Sequence, residues 1–165
     1  MTVVQRSVVI SAQPDDVFAL LTDTTRFGEW VFGFAGLIEG PETIGADTTF
    51  RWRMKGHGLT LKPRDAIVAF DAPHSYTEEV RVPGLVRGTL TKTVVPQKRR
   101  TQLVWRLEYR VIGGPVGLVA DKVLAGRVVR RAVEHCLAGA KRVLETPKQA
   151  VPSTRGGYRR QTAVR

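Results

Sequence analysis

Glu78 stands in the stretch Tyr76-Thr77-Glu78-Glu79-Val80-Arg81-Val82. If this stretch is an extended strand, side chains alternate, so Glu78 shares a side with Tyr76, Val80 and Val82, while Thr77, Glu79 and Arg81 face the other way. A carboxylate turned toward an apolar interior is costly unless water, a cation or a hydrogen-bond donor meets it, and a buried carboxyl is suited to proton transfer near neutral pH. Glu78 is therefore the best candidate for a catalytic acid or a ligand anchor, with Tyr76 and Tyr109 as partners. The competing arrangement is a bulge or register shift near Pro83 that turns Glu78 outward onto an arginine.

Other chemistry is sparse. The chain has three histidines, His57, His74 and His135, and one cysteine, Cys136. Their expected settings are two turns and a helix, which do not assemble a pattern of two histidines and a carboxylate, so no metal site is expected. No Ser-His-Asp or Cys-His arrangement and no glycine-rich phosphate loop is present, and no cofactor is expected. Gly56-His57-Gly58 reads as a mobile turn, and Cys136 as a small core residue.

Composition narrows the class further. The 165 residues are 42% hydrophobic and 25% charged, which fits one soluble globular domain. A single cysteine excludes an internal disulfide framework and suits a reducing, cytoplasmic setting. No export signal or apolar run long enough to span a membrane is read in the sequence. The net charge is +11, but Lys148, Arg155, Arg159, Arg160 and Arg165 lie beyond residue 147 with no acid among them. The expected organisation is thus a domain over 1–147 and a basic, disordered tail over 148–165. Arg127, Arg130 and Arg131 read as a solvated helix face. Nucleic acid is not expected as a partner, peripheral contact with a membrane surface stays open, and the oligomeric state is not legible.

The elements that must position these residues follow from periodicity. Val3–Ile10 reads as a strand, and Pro14 with Asp15 and Asp16 opens a short helix, the acids favouring its positive end. A second helical turn at 26–30 places Trp30 against the body. Six strands follow, Phe34–Glu39, Thr48–Met54, Leu59–Phe70 bent at Pro63, Tyr76–Val82, Val86–Val95 and Gln102–Val111. Phe50, Trp52 and Met54 alternate with Arg51 and Arg53, and Leu103, Trp105, Leu107 and Tyr109 with Gln102, Arg106, Glu108 and Arg110. A sheet with one apolar face needs one cover, and an amphipathic helix from about Val116 to Glu145 supplies it. Its apolar side includes Val128, Val129, Ala132, Val133, Cys136, Leu137 and Ala140.

A strand, two short helices, six antiparallel strands and a long C-terminal helix is the order of the α+β helix-grip fold, here a curved seven-stranded antiparallel sheet wrapped around that helix. The chain resembles the START-like SRPBCC superfamily, particularly its bacterial polyketide cyclase/dehydrase-like members. The resemblance is carried by Ile10-Ser11-Ala12-Gln13-Pro14-Asp15-Asp16-Val17-Phe18 with Leu21 and Asp23, by Trp30, and by Ile44-Gly45. It continues through Thr101, Leu103-Val104-Trp105, and Gly114-Pro115-Val116-Gly117 with Leu118 and Leu124. It implies a cavity between sheet and helix, with its mouth near Gly113, Gly114 and Gly117.

Expected to line that cavity are Phe50, Trp52, Met54, Tyr76, Glu78, Val80, Leu103, Trp105, Leu107 and Tyr109 from strands, and Val128, Ala132 and Cys136 from the helix. The resemblance implies binding of a hydrophobic small molecule such as a lipid, an aromatic or a polyketide-like compound. The alternative is an aromatase/cyclase-type enzyme using the same cavity. A third reading is an RNA- or membrane-surface-associated protein.

Overall fold

The computed structural model describes residues 1–56, 58–112 and 126–147. The expected tail over 148–165, His57, and Gly113, Gly114 and Gly117 lie outside the described residues.

Strand β1 (Thr2–Ile10) leads through Gln13 into α1 (Pro14–Thr22), which begins on Pro14 with Asp15 and Asp16 in its first turn. Proline suits that position because its missing N–H has no partner to lose there. Asp23 then accepts a hydrogen bond from the Thr25 amide, capping a 3₁₀ turn, Thr24–Arg26, that runs into α2 (Phe27–Trp30). Seven more strands follow, namely β2 (Phe34–Glu39), β3 (Thr49–Gly56), β4 (Leu59–Leu61), β5 (Arg64–Asp71), β6 (Ser75–Val82), β7 (Val86–Gln97) and β8 (Arg100–Val111). Helix α3 (Gly126–Glu145) closes the described chain.

The strands form one antiparallel sheet in the order β1-β8-β7-β6-β5-β3-β2, with β4 paired to β3. Continuity across Leu59–Phe70 fails at Pro63, where the expected single bent strand divides into β4 and β5. Proline cannot donate to a ladder, and its carbonyl instead accepts from the Trp52 amide at 3.2 Å.

Helix α3 packs chiefly on β1, α2 and α1. Gly139 makes the approach to α2 possible, since a Cβ there would come within 2.9 Å of the Trp30 carbonyl oxygen and 3.0 Å of its Cα. Trp30 is thereby pressed into the core with its ring edge-on to Trp105, centroids 5.8 Å apart. The buried seam of α3 is Val133, Cys136, Leu137 and Ala140. Val128 does not belong to it. At 3.6 residues per turn Val128 stands about 140° around the helix from Val133, and it is 45% exposed. The apolar set expected for this helix thus contains one residue that faces solvent.

Candidate functional site

Because α3 rests on β1 and the short helices, it stands off from the middle strands, and a cavity of about 200 Å³ lies in the gap. Its walls come from four directions. Strand β3 supplies Phe50, Trp52 and Met54; β6, β7 and β8 supply Val80, Leu90, Trp105 and Leu107; α3 supplies Val129, Ala132, Val133 and Cys136; and Phe27, Val31 and Phe32 come from α2 and the segment after it. Set into this apolar lining are two carboxylic side chains and one amine, Asp65, Glu78 and Lys92, each about 4% exposed.

Sheet register explains how they meet. Glu78 lies opposite Ile67 and Leu90, Lys92 opposite Tyr76 and Trp105, and Asp65 opposite Val80. All three therefore occupy the inward face of adjacent strands, and Lys92 is a diagonal neighbour of Glu78, within reach of long side chains. The Lys92 ammonium lies 3.0 Å from Glu78 Oε1 and donates to the Tyr76 hydroxyl at 2.9 Å, while that hydroxyl donates to the Leu21 carbonyl at 2.9 Å. Lys92 Nζ is also 4.8 Å from the ring centroids of both Tyr76 and Trp105, so the charge is held by aromatic faces as well as by a carboxylate. Trp52 Nε1 donates to Asp65 Oδ2 at 2.7 Å.

These surroundings set the protonation of the cluster. Burial, reinforced by the neighbouring Glu78 carboxylate, pushes Asp65 up from 3.8 to about 8, so its side chain is mainly neutral at pH 7. For Lys92 burial works downward, but Glu78 and Tyr76 outweigh it and the net direction is upward, which keeps the ammonium charged. Burial likewise raises Tyr76, and it pushes the Cys136 thiol up to about 11 despite the Phe32 amide 3.2 Å from its sulfur. A Cys136 thiol held there is a poor nucleophile.

The arrangement leaves hydrogen-bonding capacity unused. Among the described residues, Asp65 Oδ1, Glu78 Oε2 and Trp105 Nε1 are buried without a hydrogen-bond partner, and each of these side chains belongs to the cavity wall. Such atoms ordinarily find partners in a folded protein.

The residues expected from the sequence divide into three groups. Phe50, Trp52, Met54, Glu78, Val80, Trp105, Leu107, Ala132 and Cys136 are brought together around the cavity. Tyr76, Leu103 and Tyr109 are at most 1% exposed and lie outside its walls, in the packed core, where Tyr76 still reaches the site through Lys92. Val128 is on the outer face of α3. The outward alternative for Glu78 is not what occurs; Glu79 faces out and takes Arg81 at 2.8 Å.

The counter-charge of Glu78 is Lys92, not either tyrosine. Lys92 was legible in principle, because Leu90-Thr91-Lys92-Thr93-Val94 alternates and puts the lysine in phase with two buried apolar residues. Asp65 was harder to see, since Pro63 precedes it and a register shift between Ile67 and Ala69 follows, so no unbroken alternation marks its side. Among the described residues no group of three or more metal-ligating side chains is assembled, and no helix is long and apolar enough to cross a membrane.

Known structures share this architecture. An aromatase/cyclase from a Streptomyces species, Zhui, superposes with a TM-score of 0.75 at 16% identity, covering 87% of this chain and 93% of that one. The di-domain aromatase/cyclase StfQ of the steffimycin biosynthetic pathway gives 0.69 at 18% identity, over 87% of this chain and 50% of that one. A protein from Chromobacterium violaceum gives 0.70 at 15% identity, over 89% of this chain and all of its own. At such identities the likeness concerns the fold. No protein of curated function matches the sequence. Residues 1–145 match the family model described as polyketide cyclase / dehydrase and lipid transport, and with the helix-grip architecture in place the chain belongs to that family, within the SRPBCC superfamily.

Proposed function

We propose that this protein binds a hydrophobic small molecule in the cavity between its sheet and α3. The observation that carries the reading is the combination of an apolar lining that includes five aromatic side chains with a few buried polar groups at about 200 Å³, the composition by which small-molecule sites gain affinity from their walls and orientation from their polar atoms. Family membership and the likeness to aromatase/cyclases support it. In this reading Phe50, Trp52, Met54, Val80, Trp105, Leu107 and Ala132 contact the ligand's apolar surface and Glu78 anchors it, with Asp65 and Lys92 added to the polar set. Native mass spectrometry of the protein purified from its own host tests this. A co-purified noncovalent adduct is expected, and a protein that leaves its host empty and binds no apolar probe would contradict it.

A second reading, an enzyme of the aromatase/cyclase type, is favoured by one observation. A neutral Asp65 and an ion-paired Glu78 stand on adjacent strands in the wall of one cavity, which sets a proton donor beside a carboxylate acceptor. Glu78→Gln separates the readings on the ligand so identified. An enzyme loses turnover while binding is largely kept, and a carrier loses affinity.

A further inference from the structure

The outer face of the sheet concentrates positive charge in a way that the cavity does not use. In the strand register Arg51 stands opposite Arg64, Arg64 opposite Arg81, Arg81 opposite Arg87, and Arg87 opposite Arg110. Residues directly opposite one another share a face, so five exposed arginines form a single row across β3, β5, β6, β7 and β8. At about 4.8 Å between strands the row is about 19 Å long. Like charges in such pairs work against folding. Among the described residues two carboxylates meet the row: Glu79 accepts from Arg81 at 2.8 Å and lies 4.0 Å from Arg87, and Glu39 lies 3.5 Å from Arg51. Arg64 and Arg110 pair with no carboxylate among the described residues.

The same end of the sheet is tipped with apolar side chains. Beyond Arg87 and Arg110 along their strands come Leu85 and Ile112, 42% and 47% exposed, joined by the Ile112 amide donating to the Leu85 carbonyl at 2.8 Å. Beyond Arg51 and Arg64 the chain carries Arg53, Lys55 and Lys62, all exposed, toward Leu59, which is 61% exposed. Apolar tips edged by a cationic row match a surface whose charge lies above hydrocarbon. Guanidinium forks bind phosphate oxygens in pairs, and leucine and isoleucine gain by entering the headgroup boundary. A nucleic acid matches the charge alone. It offers the apolar tips nothing, and the described outward positions of these five strands hold no aromatic side chain on which bases could stack.

We propose that this end of the outer face docks on the surface of an anionic lipid bilayer, with the arginines on headgroup phosphates and Leu59, Leu85 and Ile112 in the boundary below them. The row lies on the opposite face of the sheet from the cavity, so the proposal is independent of what the cavity binds. Co-sedimentation of the full chain with vesicles tests it, using phosphatidylcholine alone and an equimolar mixture with phosphatidylglycerol. Binding to the anionic vesicles is expected, weakened by added salt, with little binding to the neutral ones. Arg64→Gln/Arg110→Gln should weaken it roughly thirtyfold, at about fivefold per arginine near such a surface. Removing like charges should leave the urea midpoint of that variant unchanged or raised, so its loss of binding is not a loss of fold. Arg130→Gln/Arg131→Gln takes equal charge from the exposed face of α3 and should change binding by about twofold or less. Leu85→Asn should weaken binding severalfold with the salt dependence kept. Equal losses from the two double variants would make net charge the cause and overturn the proposal, as would equal binding to neutral and anionic vesicles or binding to neither. If Arg64→Gln/Arg110→Gln keeps its vesicle binding and loses affinity for a DNA duplex, the row is a nucleic-acid site and the membrane proposal falls.

Discussion

The two ends of this interior are built differently. Around α1, α2 and the C-terminal part of α3 the core is filled and its buried hydroxyls are met; Trp30 Nε1 is the exception there, without a hydrogen-bond partner among the described residues. Ile10, Leu20, Leu21, Leu103 and Ala140 are at most 1% exposed, Thr24 Oγ1 donates to the Pro41 carbonyl at 2.7 Å, and Thr101 Oγ1 donates to the Ala12 carbonyl at 2.7 Å. Toward β5, β6 and β7 the interior holds a cavity, an ion pair, a raised carboxyl and polar atoms without partners. One end follows the rules that stabilise a fold; the other departs from them where a fold has something to bind. A buried ion pair is often worth no more than apolar side chains of the same volume, so Glu78 and Lys92 are poorly explained by stability.

That contrast can be broken first at the filled end. Ala140→Asp places an unpaired carboxylate in the α3 seam away from the cavity and should cost several kcal/mol, enough to unfold much of the population in a protein of ordinary stability, whereas Val128→Asp on the outer face should stay within about 0.5 kcal/mol. Comparable losses in urea unfolding would place the helix in a different phase.

The hollow end responds to the pair rather than to volume. Lys92→Met should cost about 3–5 kcal/mol because it strands Glu78, and the double variant Lys92→Met/Glu78→Leu should recover most of that loss. Failure of the double variant to recover would make the pair a structural element.

At neutral pH Asp65 gives a linkage with a definite sign. Its folded value, about 8, exceeds 3.8, so the folded state binds the extra proton between those limits. Its contribution is complete below about pH 4 and is lost as pH rises toward 8. Wild-type stability relative to Asp65→Asn should therefore fall by a few kcal/mol across that window. A difference independent of pH would mean that Asp65 is ionised throughout.

Among the buried positions the smallest expected loss is that of Gly139→Ala, where the added methyl must push against Trp30 backbone and should cost about 1–3 kcal/mol. A stabilised variant would show that α3 has room to move away from α2.

The difference between the ends also marks what was legible. The two one-sided strands at Phe50/Trp52/Met54 and Leu103/Trp105/Leu107/Tyr109 announce the sheet, and the inward side of Glu78 follows from the same alternation. Period-two patterning says which face a residue takes but not whether the space beyond it is filled, which is why Tyr76, Leu103 and Tyr109 read like Trp105 and yet lie in packed core. Val128 misled because apolar character alone assigned it to the seam. Of the charges that give the cavity its polarity, Lys92 is legible in the sequence and Asp65 is not. Lys92 stands in clean alternation among threonines and valines, and Asp65 lies between a proline and a bulge that erase its phase.

The central claim is that the hollow end is the ligand site, and filling it is the direct test. Ala132→Phe adds a ring from the α3 wall and leaves Asp65, Glu78 and Lys92 unsubstituted. Native mass spectrometry of this variant and the wild type, both purified from the natural host, should show an adduct on the wild type and its loss from the variant, with folding unchanged by circular dichroism. An adduct retained at equal occupancy in the filled variant would place the ligand elsewhere and contradict the account.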